Sequence, residues 1–237
     1  MREIRYREIA ADLKARVEAG EFAAGGVLPS ESDLTKTYDA SRVTIRRALE
    51  ALREQGLVDS RQGFGWFVAV DRVRQNLAQL STIERELAER GVVAERQILD
   101  FGFVNANAHV REVLGVEQVL RVRRLNLADG VPFARVTVWC PADLGAALSR
   151  ADVAAHPFYE LLPVTIGGAT QTIAAALAEA ADAKLLEVPV GSPVLRCERV
   201  TRDAEGEPVL LSVHVFPAHL TEFVVDLPSP TGLSLVE

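Results

Sequence analysis

A chain of 237 residues with 49% hydrophobic side chains has material for one large core or two smaller ones, and its formal net charge of −7 excludes a body coated throughout for nucleic acid. Cys140 and Cys197 are too few and too isolated for a disulfide framework or a zinc ligand set, so no metal or cofactor is expected. The charged stretch 1–6 predicts no secretory leader, and no run reaches the roughly 18–20 apolar residues of a membrane span. A cytoplasmic protein is expected. The charge is uneven: residues 1–75 carry 13 basic and 12 acidic side chains, whereas residues 76–237 carry 13 and 21. A near-neutral N-terminal third on an acidic remainder divides the chain in two by charge.

In chain order, residues 4–19 form an amphipathic helix with Ile9, Leu13 and Val17 as its apolar stripe. Gly20, Gly25 and Gly26 end it and loosen the approach to Pro29. Ser30 followed by Asp33 is a capping-box pattern that opens a second helix running to about Tyr38. After a short connection, Ser41 is an N-cap for a third helix, which turns Ile45, Ala48, Leu49 and Leu52 to a core. Arg42, Arg46 and Arg53 share the outward face of that helix, with Arg47 at its edge. Leu57-Val58 and Trp66-Phe67-Val68 read as short strands around the turn 62–65, whose glycines supply backbone freedom. Arg61 and Gln62 stand just before the tip. Three arginines and no acid in residues 41–47 could be a solvated face. At the start of the second helix of a helix-turn-helix, they instead occupy the end that enters the major groove.

This stretch resembles the winged helix-turn-helix of GntR-family bacterial transcription regulators through LPSE at 28–31, SRVTIRRAL at 41–49, EQGLV at 54–58 and RQGFGWFV at 61–68. The resemblance covers residues 4–70 and implies binding to double-stranded DNA. It carries Ser30 and Glu31 of the first motif into the DNA-facing set, with Ser41, Arg42, Thr44, Arg46 and Arg47 of the second. Gln62 and Gly63 of the wing complete it. Arg42 and Arg46 are expected on base edges or phosphates and Ser41 and Thr44 on phosphates, with Gly63 letting the wing approach the minor groove.

The polar stretch 71–76 has no apolar face and is expected to link a head, residues 1–70, to a body, residues 77–237. The body opens with a helix over 77–90 and then changes to strands. Strands are expected over 96–105, 119–127, 133–139, 169–177, 194–201 and 208–216, with 223–227 closing the sheet. Short helices are expected over 109–114, 142–149, 156–162 and 179–186. The last ten residues read as frayed. The body also echoes itself. LGVEQVLRVRRLNLADGVPF from Leu114 resembles LLEVPVGSPVLRCERVTRDAEGEPVL from Leu185, with the two VLR triplets 75 residues apart. Two such units in one antiparallel sheet are expected to leave a ligand cleft between them.

Residues 77–228 resemble the UTRA effector-binding domain of the HutC subfamily through RRLNLADGVPF, FYELL, the QTI at 171–173 and LLEVPVGSPVLRCERVTRDAEGEPV. The resemblance implies an α+β fold, a winged helix-turn-helix followed by an α/β domain with a chorismate-lyase-like antiparallel sheet. It also implies a homodimer on a palindromic operator, with DNA affinity set by a small-molecule effector. The sugar-phosphate-sensing members carry an Arg-x-Arg that falls on Arg124 and Asn126, so only the first arginine is kept. Their two carboxylates fall on Val136 and Leu210, a serine on Pro157 and a tyrosine on Phe216. Loss of those groups counts against a sugar phosphate, because buried ligand atoms need hydrogen-bond partners. RYREIAADL, ASRVTIRRAL, RQGFGWFV and HLTEFVVDL are similar to the phosphonate-utilisation repressors of the subfamily, which implies a phosphate or phosphonate on Arg124 and Thr82. Arg123, Arg135 and His214 are further candidates. The alternatives are a constitutive DNA binder and a chorismate-lyase-like enzyme. Against the latter, His109, His156, His214 and His219 fall in no nucleophile or metal motif, and Gly167-Gly168 has no Lys-Ser/Thr beside it.

Overall fold

The computed structural model describes residues 2–22, 25–61, 64–69, 73–76 and 92–227. Its first helix, α1 (Arg2–Glu18), lays Ile9 and Leu13 on α3 (Arg42–Glu54), which answers with Ile45, Leu49 and Leu52. Between them, α2 (Glu31–Tyr38) starts where the Ser30 hydroxyl accepts the Asp33 amide, and adds Leu34 to the same core. Asp39 leaves α2 in the left-handed region (φ 43), and Ser41 then caps α3 by accepting the Thr44 amide. The wing is an antiparallel pair, β1 (Val58–Arg61) and β2 (Gly65–Val68), with Arg61 opposite Gly65. Gly65 has φ 100, where a Cβ would be strained.

The body is built on a six-stranded antiparallel sheet whose strands lie in the order Ala94–Asn105, Gln118–Ala128, Val131–Pro141, Pro208–Pro217, Pro193–Asp203 and Ile166–Leu177. It is made twice. β4 (Ala94–Asn105), α4 (Ala108–Leu114), β5 (Gln118–Ala128) and β6 (Val131–Pro141) form one unit. After three short helices, β7 (Ile166–Leu177), α8 (Ala180–Leu185), β8 (Pro193–Asp203) and β9 (Pro208–Pro217) repeat it. The units meet where β6 pairs with β9, Thr137 opposite Val213, so the two halves share one unbroken sheet rather than standing apart. Both unit helices lie on one face, α4 over Val119 and Leu211 and α8 over Leu125, Val194 and Val215. The other face is covered by α6 (Arg150–Ala155) and α7 (Phe158–Leu161), through Val153 and Phe158 on Leu120, Val136 and Phe216.

Three expectations change. The helix expected over 142–149 stops early as α5 (Ala142–Gly145), and Ser149 with Asp152 forms a capping box that starts the separate α6. The final strand, β10 (Thr221–Val224), does not close the main sheet. It pairs in parallel with β3 (Val73–Asn76), which lies in the stretch expected to be a linker. The helix over 77–90 and the last ten residues lie outside the described residues. No helix among those described is long and apolar enough to cross a membrane.

The wing packs on the body. Phe64 and Phe67 join the cluster of Leu125, Val188 and Val215. Phe64 also faces the His219 ring at 4.1 Å, while His219 Nε2 and the Gly25 carbonyl oxygen lie 3.1 Å apart.

Candidate functional site

Two groups of arginines sit in opposite surroundings. On the head, the first turn of α3 presents Ser41, Arg42, Val43, Arg46 and Arg47 to solvent. The helical period puts Arg42 and Arg46 one above the other, and the caps fix their height. Ser30 and Ser41 therefore already use their hydroxyls, Ser30 on Asp33 (2.6 Å) and Ser41 on Thr44 (2.9 Å). Arg46 is held as well. Its Nε and Nη2 donate to the two carboxylate oxygens of Glu31 at 3.1 and 2.9 Å, and Trp66 Nε1 donates to the same carboxylate at 3.2 Å. Glu31 thus ties the start of α2 to α3 and to the wing. Arg46 holds the Glu31 carboxyl below the usual carboxylate range, and an anion so placed repels phosphate. Among the expected DNA-facing set, Glu31 positions Arg46. Gln62 and Gly63 lie outside the described residues.

Two features of the head were not anticipated. Val43 is 70% exposed beside Arg42, an apolar side chain among the arginines at the start of α3. Arg53 lies over the Trp66 ring at 5.7 Å, on the same wall as Glu31 and Arg46.

In the body, register decides which side chains converge. Arg124 pairs with Val136, and Val136 with His214, so these three point to the face covered by α6 and α7. Arg124 is 7% exposed and Asn126, two residues on, 2%. Arg123 and Arg135, expected to join Arg124, alternate to the opposite face. Arg135 is engaged there in a bidentate pair with Asp182 of α8 (2.7 and 2.8 Å) and also bonds Thr137. It fastens a helix to the sheet. Thr82 lies outside the described residues.

Arg199, rather than Arg123 or Arg135, shares the face of Arg124. It pairs with Ser212 on β9, faces the same side as Arg124, and donates to Gln171 Oε1 at 2.8 Å. The one signal for it in the sequence is the echo, since Arg199 follows Arg124 by the same 75 residues as the VLR triplets. His214 sits between the two arginines, its Nε2 3.1 Å from Ser212 Oγ and its ring stacked on Phe216. Burial first, then the charges of Arg199, Arg124 and Arg135, push its pKa well below 6.5, so it is a neutral imidazole. Cys197, opposite His214, has its thiol pushed up to about 12 by burial and is inert. This face carries two arginines and neutral hydrogen-bonding groups beside the helices that cover it. Among the described residues no cluster of three or more His, Cys, Asp or Glu could hold a metal.

Comparison with known proteins agrees with both halves. Residues 5–68 match the bacterial regulatory proteins of the gntR family, and residues 89–221 match the UTRA domain. The HTH-type transcriptional regulator Rv0792c of Mycobacterium tuberculosis is 35% identical over 97% of this chain and 89% of its own. The probable transcriptional regulator PhnF of Escherichia coli is 30% identical over 94% and 95%. The crystal structure of PhnF from Mycobacterium smegmatis superposes with a TM-score of 0.63 at 24% identity, covering 93% of this chain and 99% of that one, a likeness of fold.

Proposed function

The chain belongs to the gntR family of bacterial regulatory proteins and carries a UTRA domain, and from that premise we propose a homodimeric repressor released from a palindromic operator by an anionic metabolite. Regulation of transcription through DNA binding follows from the family; its relatives are regulators, not enzymes. The rest is our reading. The observation that carries the DNA half is the first turn of α3, where Arg42 and Arg46 stand exposed on one helical face with Val43 beside them. Arg42 and Arg46 read base edges, Ser41 and Thr44 meet phosphates, and Arg47 adds charge at the flank. Two heads related by a two-fold axis demand half-sites about one helical turn apart. The protein works in the cytoplasm, where its operator is.

What supports the effector half is the buried Arg124 with Asn126 and His214 beside it. A phosphonate or another anion suits that face, and a sugar phosphate does not, because Val136, Leu210 and Phe216 offer no group for sugar hydroxyls. Fluorescence anisotropy on the DNA upstream of the chain's own gene, at fixed salt, tests both halves. Sequence-specific binding that one anion weakens is the expected result. Specific binding that no anion alters would leave a constitutive regulator, and absence of any sequence preference would remove the operator assignment.

A further inference from the structure

We infer that Arg53 is a phosphate-binding residue of the head, held over Trp66 to meet the DNA backbone where it passes between α3 and the wing. The inference rests on the reading above, that the first turn of α3 enters the major groove, and adds a contact outside the set expected from the sequence.

A groove of about 820 Å³ lies between α3 and the wing. Arg46, Glu50 and Arg53 line it from α3, Ser60 and Trp66 from the wing, and the body adds Pro189. Helix geometry says where this groove falls on a duplex. Arg53 shares the outward face of Arg42 and Arg46 and lies seven residues beyond Arg46, about 10 Å further along the axis. The major groove is about 12 Å wide. A helix that reads base edges with its first turn therefore brings its last turn to the rim, where the phosphates stand. The wing is placed at the adjoining minor groove. The line of phosphates that divides a major groove from the next minor groove has to cross the space between helix and wing, and that space is this groove.

The surroundings of Arg53 fit it for the contact. Its guanidinium carbon lies 5.7 Å from the centre of the Trp66 ring. Trp66 is itself 8% exposed and anchored by its bond to Glu31. A planar guanidinium laid on an indole gives its face to the ring and keeps its N–H donors at the edge. Nη1 reaches Ser60 Oγ at 3.5 Å, the long end of a hydrogen bond. Among the described residues Arg53 pairs with no carboxylate, Glu50 one turn before it included. Arg46 differs, because it already shares Nε and Nη2 with Glu31. Arg53 can take two phosphate oxygens without giving up an ion pair. Such a contact fixes position and carries no sequence information, which separates its role from that of Arg46.

The test is fluorescence anisotropy of the full-length chain over a salt series, on a duplex from upstream of its own gene and on a scrambled duplex of equal length. Arg53→Gln is expected to weaken both by about tenfold, the value of one charged hydrogen-bonded contact. It should also flatten the logarithmic salt slope by about one for each head bound. Arg53→Lys keeps the charge and should keep most of the slope, so the inference stays testable if Arg53→Gln loosens the wing. Lys14→Gln, which removes an exposed charge from outside the groove, should change the slope by much less. An unchanged slope in Arg53→Gln, or one no flatter than in Lys14→Gln, overturns the phosphate contact. Weakening confined to the upstream duplex overturns it too, since Arg53 would then be reading bases. Arg46→Ala is measured beside it. Should that variant keep its discrimination while Arg53→Gln flattens the slope, the base-reading role of α3 fails and the phosphate contact stands.

Discussion

The head and the body both rely on arginine, and they set it in opposite surroundings. In the head, Arg46 has 63% of its side chain in solvent and is steadied by Glu31, which is itself 23% exposed. In the body, Arg124 is 7% exposed, and the Arg135–Asp182 pair leaves 16% and 19% of those side chains open. An exposed ion pair is screened and contributes little to stability, whereas a buried one is expensive to break from one side. A polyanion such as DNA is met by many hydrated cations at once. A small ligand must be met by few, already stripped of water.

The largest expected effect comes from breaking the body's version. Asp182→Ala leaves Arg135 uncompensated under α8 and should cost about 3 kcal/mol, read as a shift of the urea midpoint at unchanged slope. Loss below about 1 kcal/mol would place Arg135 with the exposed pairs of the head. Next comes function without stability. Arg46→Ala should lose about 1–3 kcal/mol of discrimination between operator and scrambled DNA while the melting temperature stays within a degree or two. Retained preference would take Arg46 out of the reading set.

His214 sharpens the comparison through pH. Its folded pKa is depressed by burial and by three arginines, so its share of stability is complete above 6.5 and is lost as pH falls below that value. A His214→Gln variant should show a flatter stability profile than the parent on the acid side of 6.5; parallel profiles would mean that the imidazole charges freely. The smallest effect expected is at the two helix ends of the duplicated unit. α4 closes on Gly115 (φ 69), but after α8 the corresponding step falls on Glu187 (φ 54). Glu187→Gly should stabilise by about 0.5–1 kcal/mol, the left-handed penalty less the added freedom of the unfolded chain. Unchanged or lowered stability would show that Glu187 is held there by contacts worth more than the strain.

The head was legible because its signals are local. Ser30 and Ser41 as caps, the 3.6-residue stripe of α3 and the glycine turn each act within a few residues. The Glu31–Arg46–Trp66 contact joins three separate motifs, and nothing in their spacing announces it. In the body, strand alternation already separates Arg123 from Arg124, and Arg135 from Val136, so the sequence itself sets Arg123 and Arg135 on the face opposite Arg124. Bulges at Ile98/Asp100 and Asn126/Leu127 change parity along the strands and obscure it elsewhere. Arg199 was legible through the internal echo, once each residue of one unit is asked for its counterpart. The pairing of β10 with β3 was not, since it joins opposite ends of the chain in parallel and carries no local signal.

Glu31 has a consequence for ion traffic on DNA. In the free protein its carboxylate occupies the two Arg46 donors that the proposed function gives to a phosphate or a base edge. If Arg46 meets DNA as proposed, that carboxylate stays beside the interface and cancels about one of the positive charges facing the phosphates. The operator complex therefore returns about one fewer ion to bulk than its count of arginine contacts implies, and affinity falls less steeply with salt. Glu31→Gln removes the internal rival and should steepen the logarithmic salt slope by about one, with tighter binding at low salt. An unchanged slope would mean that the carboxylate is not felt at the DNA. A family of heads sharing this carboxylate would trade raw attraction to any polyanion for tolerance of a changing ionic interior.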